Sequence, residues 1–150
     1  MKRLIPLVFS ALMGAAGTAQ ASDASPPVAL FMPADMKDLS EFRWKKRPVV
    51  VFADSENDPA FIEQMSLLQA REDDLLERDV IVLTDTDPAA RSALRLKMRP
   101  RGFMLVLVGK DGGIKLRKPF PWSVREISRS IDKMPMRQRE IRDSKEAAGQ

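Results

Sequence analysis

The sequence predicts an α/β domain with a central mixed sheet and the order β-α-β-α-β-β-α. Three observations carry that expectation. Val49-Val50-Val51-Phe52-Ala53 and Val80-Ile81-Val82-Leu83 are apolar at every position and rich in β-branched residues, as strands covered on both faces are. A helical pattern lies between them, and such a strand-helix-strand crossover is parallel and right-handed. Beyond them, Phe103–Val108 and Ile114–Lys118 flank Gly109-Lys110-Asp111-Gly112-Gly113, a hairpin signal because Asp-Gly tolerates positive φ.

The chain opens on Met1-Lys2-Arg3, runs apolar from Leu4 to Gly17 and reaches Ala19-Gln20-Ala21. A basic head, an apolar stretch and a small-x-small close predict a secretory signal over residues 1–21, cut after Ala21. The stretch is too short and too rich in Ala and Gly for a permanent anchor, and no later one has transmembrane length. No cysteine follows it, which excludes a lipidated lipoprotein. The mature chain is therefore expected to be soluble and periplasmic or secreted. Residues 22–38 carry Ser25-Pro26-Pro27 and Pro33 without periodicity and predict a flexible lead-in.

The folded domain is expected over residues 39–134. Leu39, Phe42 and Trp44, set among charges, predict a short turn packed on the sheet edge. Asp58 is a helix N-cap with Pro59 at the first helical position, and Phe61, Met65, Leu68 and Leu75 or Leu76 trace one stripe. Asp73-Asp74 interrupts that helix near its end. Asp87-Pro88 repeats the cap-and-proline device and opens a short helix through Leu94 and Leu96. Pro119 and Pro121 end the fourth strand. Ser123-Val124-Arg125-Glu126 is a capping box, followed by the stripe Val124, Ile127, Ile131 and Met134. From Pro135 to Gln150 the chain is highly charged and predicts a frayed or disordered tail, with a docking helix over Arg137–Arg142 as the alternative.

Composition excludes more than it proposes. Residues 1–21 hold Lys2 and Arg3 and no acidic side chain, so the remainder carries 23 basic and 21 acidic residues, a formal +2. That balance does not predict nucleic-acid binding. The chain has no Cys, no His and no Tyr. Thiol-disulfide exchange, Cys nucleophiles, Ser-His-Asp triads, His bases and Cys/His zinc sites are all excluded. No cofactor is expected, and any catalysis would rest on Asp, Glu, Lys, Arg, Ser or Thr.

Two charged clusters are candidate sites. Asp54, Glu56 and Asp58 follow the first core strand, at the sheet edge where open α/β folds bind ligands, and offer oxygen donors to a cation. Asp85 and Asp87 end the second core strand at the same edge. Arg91, Arg95, Lys97, Arg99 and Arg101 form a cationic run suited to a phosphate, a glycan or an acidic protein. The plainer alternatives are solvated loops and mutual pairing of the two clusters. Trp44 and Trp122 are expected to pack on the sheet edge rather than bind ligand.

The run Met98-Arg99-Pro100-Arg101-Gly102-Phe103-Met104-Leu105-Val106-Leu107-Val108, continuing into Gly109-Lys110-Asp111-Gly112, resembles the approach of thioredoxins to their hairpin. The chain is also similar to bacterial members of domain-of-unknown-function family 4174. Leu39-Ser40-Glu41-Phe42-Arg43-Trp44-Lys45-Lys46-Arg47, Glu77-Arg78-Asp79-Val80 and Ile131-Asp132-Lys133-Met134-Pro135-Met136-Arg137 carry that likeness. The resemblance implies a thioredoxin- or peroxiredoxin-like fold, and in animal matrix proteins with related domains it implies matrix or adhesion roles. Thioredoxins place Cys-x-x-Cys after the first buried strand, where this chain has Glu56-Asn57-Asp58-Pro59. The thioredoxin cis-proline falls near Phe103-Met104, again without its residue. The resulting expectation is a non-catalytic binding or adaptor module facing an envelope protein or anionic ligand. The alternative is a carboxylate-based, metal-assisted enzyme at Asp54, Glu56 and Asp58.

Overall fold

Strand β2 (Arg47–Phe52) is buried at every residue and forms the axis of the sheet. The computed structural model describes residues 29–149, so the signal segment and residues 22–28 lie outside the described residues. Strand β3 (Val80–Asp85) pairs with β2 in parallel, setting Val49 opposite Val82 and Phe52 opposite Asp85. Strand β4 (Met104–Val108) pairs with β2 antiparallel, and β5 (Ile114–Lys118) returns along β4 as a hairpin. The hairpin closes through Gly109 N–H to Gly113 O at 2.9 Å, and Gly112 takes φ +85 where a Cβ would meet the Arg43 guanidinium.

The period of two along the strands divides the core into two layers. Val49, Val51 and Leu105 face Leu68 of α1 (Pro59–Gln69), Leu75 of α2 (Glu72–Glu77) and Ile127 of α4 (Val124–Asp132). Val50, Phe52 and Leu83 face the other way, toward Phe42 and toward Leu94 and Met98 of α3 (Ala93–Met98). Uninterrupted apolar runs are therefore required in β2 and β3, and burying each such side chain contributes about 1.5–3 kcal/mol.

The helix starts follow the capping residues. Asp58 Oδ1 accepts the Ala60 N–H at 2.9 Å, and Ser123 Oγ accepts the Glu126 N–H at 3.3 Å. The interruption near Asp73 and Asp74 comes earlier, at Ala70-Arg71, and the two acids occupy the first turn of α2, where the helix dipole favours them.

Four expectations are corrected. Within the proposed lead-in, β1 (Phe31–Pro33) pairs in parallel with the outer edge of β3, setting Phe31 opposite Val82. A three-residue strand that ends on Pro33 is too short to show an alternation. Asp87 caps only a 3-10 turn over Pro88–Ala90; Arg91 turns left-handed at φ 48, and α3 begins afresh with Ser92 as its N-cap. The charged tail folds as α5 (Pro135–Ala148), held by ion pairs rather than by an apolar stripe. Trp44 is 62% exposed, because its left-handed backbone (φ 66), with its N–H on Lys110 O at 2.7 Å, leaves the indole outside the core. Trp122 is half-buried and does pack on the core, fastened by Gln64, whose amide brackets its backbone at 2.8 and 2.9 Å.

Candidate functional site

The carboxyl edge of β2 and β3 carries the residues singled out by the sequence. Arg95 leaves α3 and lies across that edge. Its Nη2 donates to Ala53 O at 2.9 Å and to Asp85 Oδ1 at 3.1 Å, its Nε donates to Asp85 Oδ2 at 3.3 Å, and its guanidinium stacks 5.5 Å from the Phe52 ring centre. Burial acts to raise the Asp85 carboxyl, but hydrogen bonds from Arg95 and Ser92 outweigh it and hold the group below its ordinary value. Arg95 is therefore a clamp joining the ends of two strands, with its side chain only 10% exposed.

The rest of the cationic run divides. Arg91, Arg99 and Arg101 are exposed and have no carboxylate partner among the described residues. Lys97 points elsewhere, into a cavity it shares with Asp38, Arg43 and Gly112 near the opposite edge. Arg91 and Arg99 both take left-handed backbone, φ 48 and 51, at the ends of the 3-10 turn and of α3. Glycine is the usual residue at such helix ends.

The acidic loop does not assemble a donor set. Asp54 and Glu56 are exposed, and Asp58 is engaged in capping α1. Among the described residues no group of three or more carboxylates is placed to hold a metal ion. Asp87 caps its own turn, and Asp85 serves Arg95. The pairing of the two clusters thus reduces to one buried ion pair, from Asp85 to Arg95. Gly102, at φ +62, brings the loop before β4 alongside Asp54.

A second polar assembly, at the amino edge, escaped the sequence reading. Arg47 opens β2 with its side chain 1% exposed, donating to Glu140 of α5 at 3.0 and 3.2 Å and to Arg78 O at 2.9 Å. Lys110 of the hairpin joins Glu140 at 2.7 Å to Asp79 at 2.8 Å. Arg137 links Glu140 to Asp132, and Arg78 pairs with both oxygens of Asp132 at 2.9 and 3.0 Å. Burial would raise the Glu140 carboxyl; hydrogen bonds and charges from Arg47 and Lys110 overcome it and bring it from 4.5 down to about 2. The available signals were a basic residue at the mouth of an apolar strand and the Arg137–Glu140 spacing. Neither names its partner.

The strand order β1-β3-β2-β4-β5, with helices on both faces, is that of a thioredoxin-like domain, here without a thiol anywhere in its sequence. Plasmodium vivax 2-Cys peroxiredoxin in its reduced state aligns at a TM-score of 0.53 with 18% identity, over 67% of this chain and 84% of that one. Plasmodium yoelii Prx1a aligns at 0.52, also with 18% identity, over 67% and 80%. At that identity the likeness is one of fold. The chain belongs to DUF4174, a domain of unknown function, which it matches over residues 38–140. Coiled-coil domain-containing protein 80 of Danio rerio is 27% identical over 133 residues, 69% of this chain, and the match spans 15% of that protein's length. Among the described residues no helix is long and apolar enough to cross a membrane.

Proposed function

We propose that the chain is an exported, non-catalytic binding or adaptor module whose contact surface is the carboxyl edge of its sheet. The observation that carries this reading is the state of Arg91, Arg99 and Arg101, exposed and without a carboxylate partner among the described residues, on the segments that flank α3 and its Arg95 clamp. A left-handed backbone costs an L-residue about 1–2 kcal/mol where glycine adopts it without penalty. Arginine at the left-handed end of both the 3-10 turn and α3 therefore supports a use for the guanidinium that outweighs the local cost. The ligand class is anionic, an acidic face of an envelope protein or a smaller anion, met in the periplasm or outside the cell.

The test spares Arg95, whose reversal would unfold the edge and confound binding with stability. Immobilised native chain is challenged with envelope extract beside an Arg99→Glu/Arg101→Glu variant of unchanged melting temperature. The expected result is a partner retained at low salt, released as salt screens the contact, and absent from the variant. Identical partners on both, indifferent to salt, would overturn the assignment.

A further inference from the structure

A cavity of about 400 Å³ lies on the α3 face of the sheet, between the 3-10 turn at Ser40–Phe42, the end of α3 and the β4–β5 hairpin. It is the recess that receives Lys97, and none of Arg91, Arg99 and Arg101 lines it. Its apolar part comes from the core and its margin. Met98 and Val108 are core residues that close the floor, and Leu39 packs against the same layer. Ile114, paired with Val108 across the hairpin, stands beside them with 43% of its surface uncovered.

Two cations complete the lining, Arg43 and Lys97, both open to solvent. Neither has a carboxylate partner among the described residues. Arg43 is held over the hairpin by its backbone: its own N–H donates to Ser40 O at 3.2 Å, and the next N–H, of Trp44, donates to Lys110 O at 2.7 Å. The guanidinium lies against Gly112, where a Cβ would come within 3.2 Å of Nε and Nη2. Glycine at that turn therefore leaves the guanidinium its place. Asp38 is the one carboxylate of the lining, and its Oδ1 already accepts from the N–H and the hydroxyl of Ser40. Two cations against one engaged carboxylate favour an anion at the mouth of an apolar recess.

We infer that this cavity binds a small apolar acid, a carboxylate on a short aliphatic chain. The carboxylate meets the Arg43 guanidinium and the Lys97 ammonium, and the chain lies between Leu39 and Ile114 over the floor of Met98 and Val108. Arg43 supplies the planar fork that a carboxylate matches, and Lys97 adds a point charge. The volume falls within the range of about 300–1,000 Å³ usual for ligand pockets, which are mainly apolar with a few polar groups. An anion without an apolar body would leave Leu39 and Ile114 uncovered. The site is separate from the contact surface proposed above, and the two stand or fall independently.

Methyl NMR reads the walls directly. The full chain, labelled at its isoleucine and leucine methyls, is titrated with sodium hexanoate, sodium phosphate and hexanol, against sodium chloride at equal ionic strength. The expected result is a saturable shift of the Ile114 and Leu39 methyls with hexanoate, and binding of phosphate and of hexanol about tenfold weaker. Lys97→Glu, with its melting temperature unchanged, is expected to weaken hexanoate by about tenfold, equivalent to about 1.4 kcal/mol; Arg43→Gln gives a second variant should the reversal disturb folding. Asp38→Asn keeps an acceptor for Ser40 while removing the negative charge, and is expected to tighten hexanoate about twofold. The Arg99→Glu/Arg101→Glu variant is expected to bind hexanoate as the native chain does. The inference is overturned if hexanoate moves neither methyl beyond the chloride control, if hexanol or phosphate binds as tightly as hexanoate, or if the Lys97 and Arg43 variants both bind as the native chain does. Weaker hexanoate binding in Asp38→Asn would overturn the assignment of an anion.

Discussion

Both ends of β2 meet a buried arginine clamped by a carboxylate, yet the two clamps are built in different ways. At the carboxyl edge Arg95 reaches Asp85 from ten residues away in sequence, and both sit in the β3–α3 segment. At the amino edge Arg47 waits for Glu140, ninety-three residues later, so the clamp closes only when α5 has docked. The first is a local brace for a loop. The second fastens the far end of the chain to the centre of the sheet. They differ again in completeness, since Arg47 keeps an orphaned Nε–H while the buried nitrogens of Arg95 all find acceptors.

The largest effect should come from Glu140→Ala. It removes the carboxylate that Arg47, Lys110 and Arg137 share, and breaking a buried pair on one side costs about 3–5 kcal/mol. Urea unfolding measures the loss. The double replacement Arg47→Met/Glu140→Leu should recover much of it, since a buried pair exchanged for apolar groups is often near neutral. Arg95→Met should follow at about 3 kcal/mol, because it strands Asp85 without a counterion. A larger loss at Arg95 than at Glu140 would show that the local brace, and not the long-range one, dominates.

Acid separates the clamps further. The native Glu140 carboxyl, at about 2, lies below its ordinary 4.5, so its contribution is complete above 4.5 and is lost as the pH falls toward 2. Asp85 and Asp132 are also lowered and act with the same sign. Urea midpoints should fall across that window in the native chain and fall less in Glu140→Ala. Equal slopes would remove Glu140 as the main acid-sensitive group. The smallest effect is expected at Arg99→Gly, which relieves a left-handed arginine and should gain about 0.5 kcal/mol by thermal melting. The same change should weaken any partner bound at the carboxyl edge.

The sequence made the core legible because the relevant physics is local. Apolar runs at Val49–Ala53 and Val80–Leu83 require cover on both faces, and Asp58 and Ser123 announce their helices within three residues. β1 was hidden because its three residues are defined by the free edge of β3 rather than by their own pattern. α5 was hidden because a helix anchored by charge looks, residue by residue, like a solvated tail. At the candidate site the cationic run was visible as composition. Its division into one clamp, one outlying lysine and three exposed arginines depends on which way each side chain leaves a six-residue helix and its flanking loops.

The two tryptophans of the chain stand at opposite ends of the sheet, and this gives the protein its own optical reporters. Trp44, exposed and tied through its backbone to Lys110, should emit at long wavelength, yield to iodide quenching and register events at the amino edge. Trp122, half-buried beneath the Lys118 ammonium at 4.9 Å, should emit further to the blue, resist iodide and register the carboxyl edge. Replacing either indole with phenylalanine would leave a single-colour readout of one edge, with no label attached.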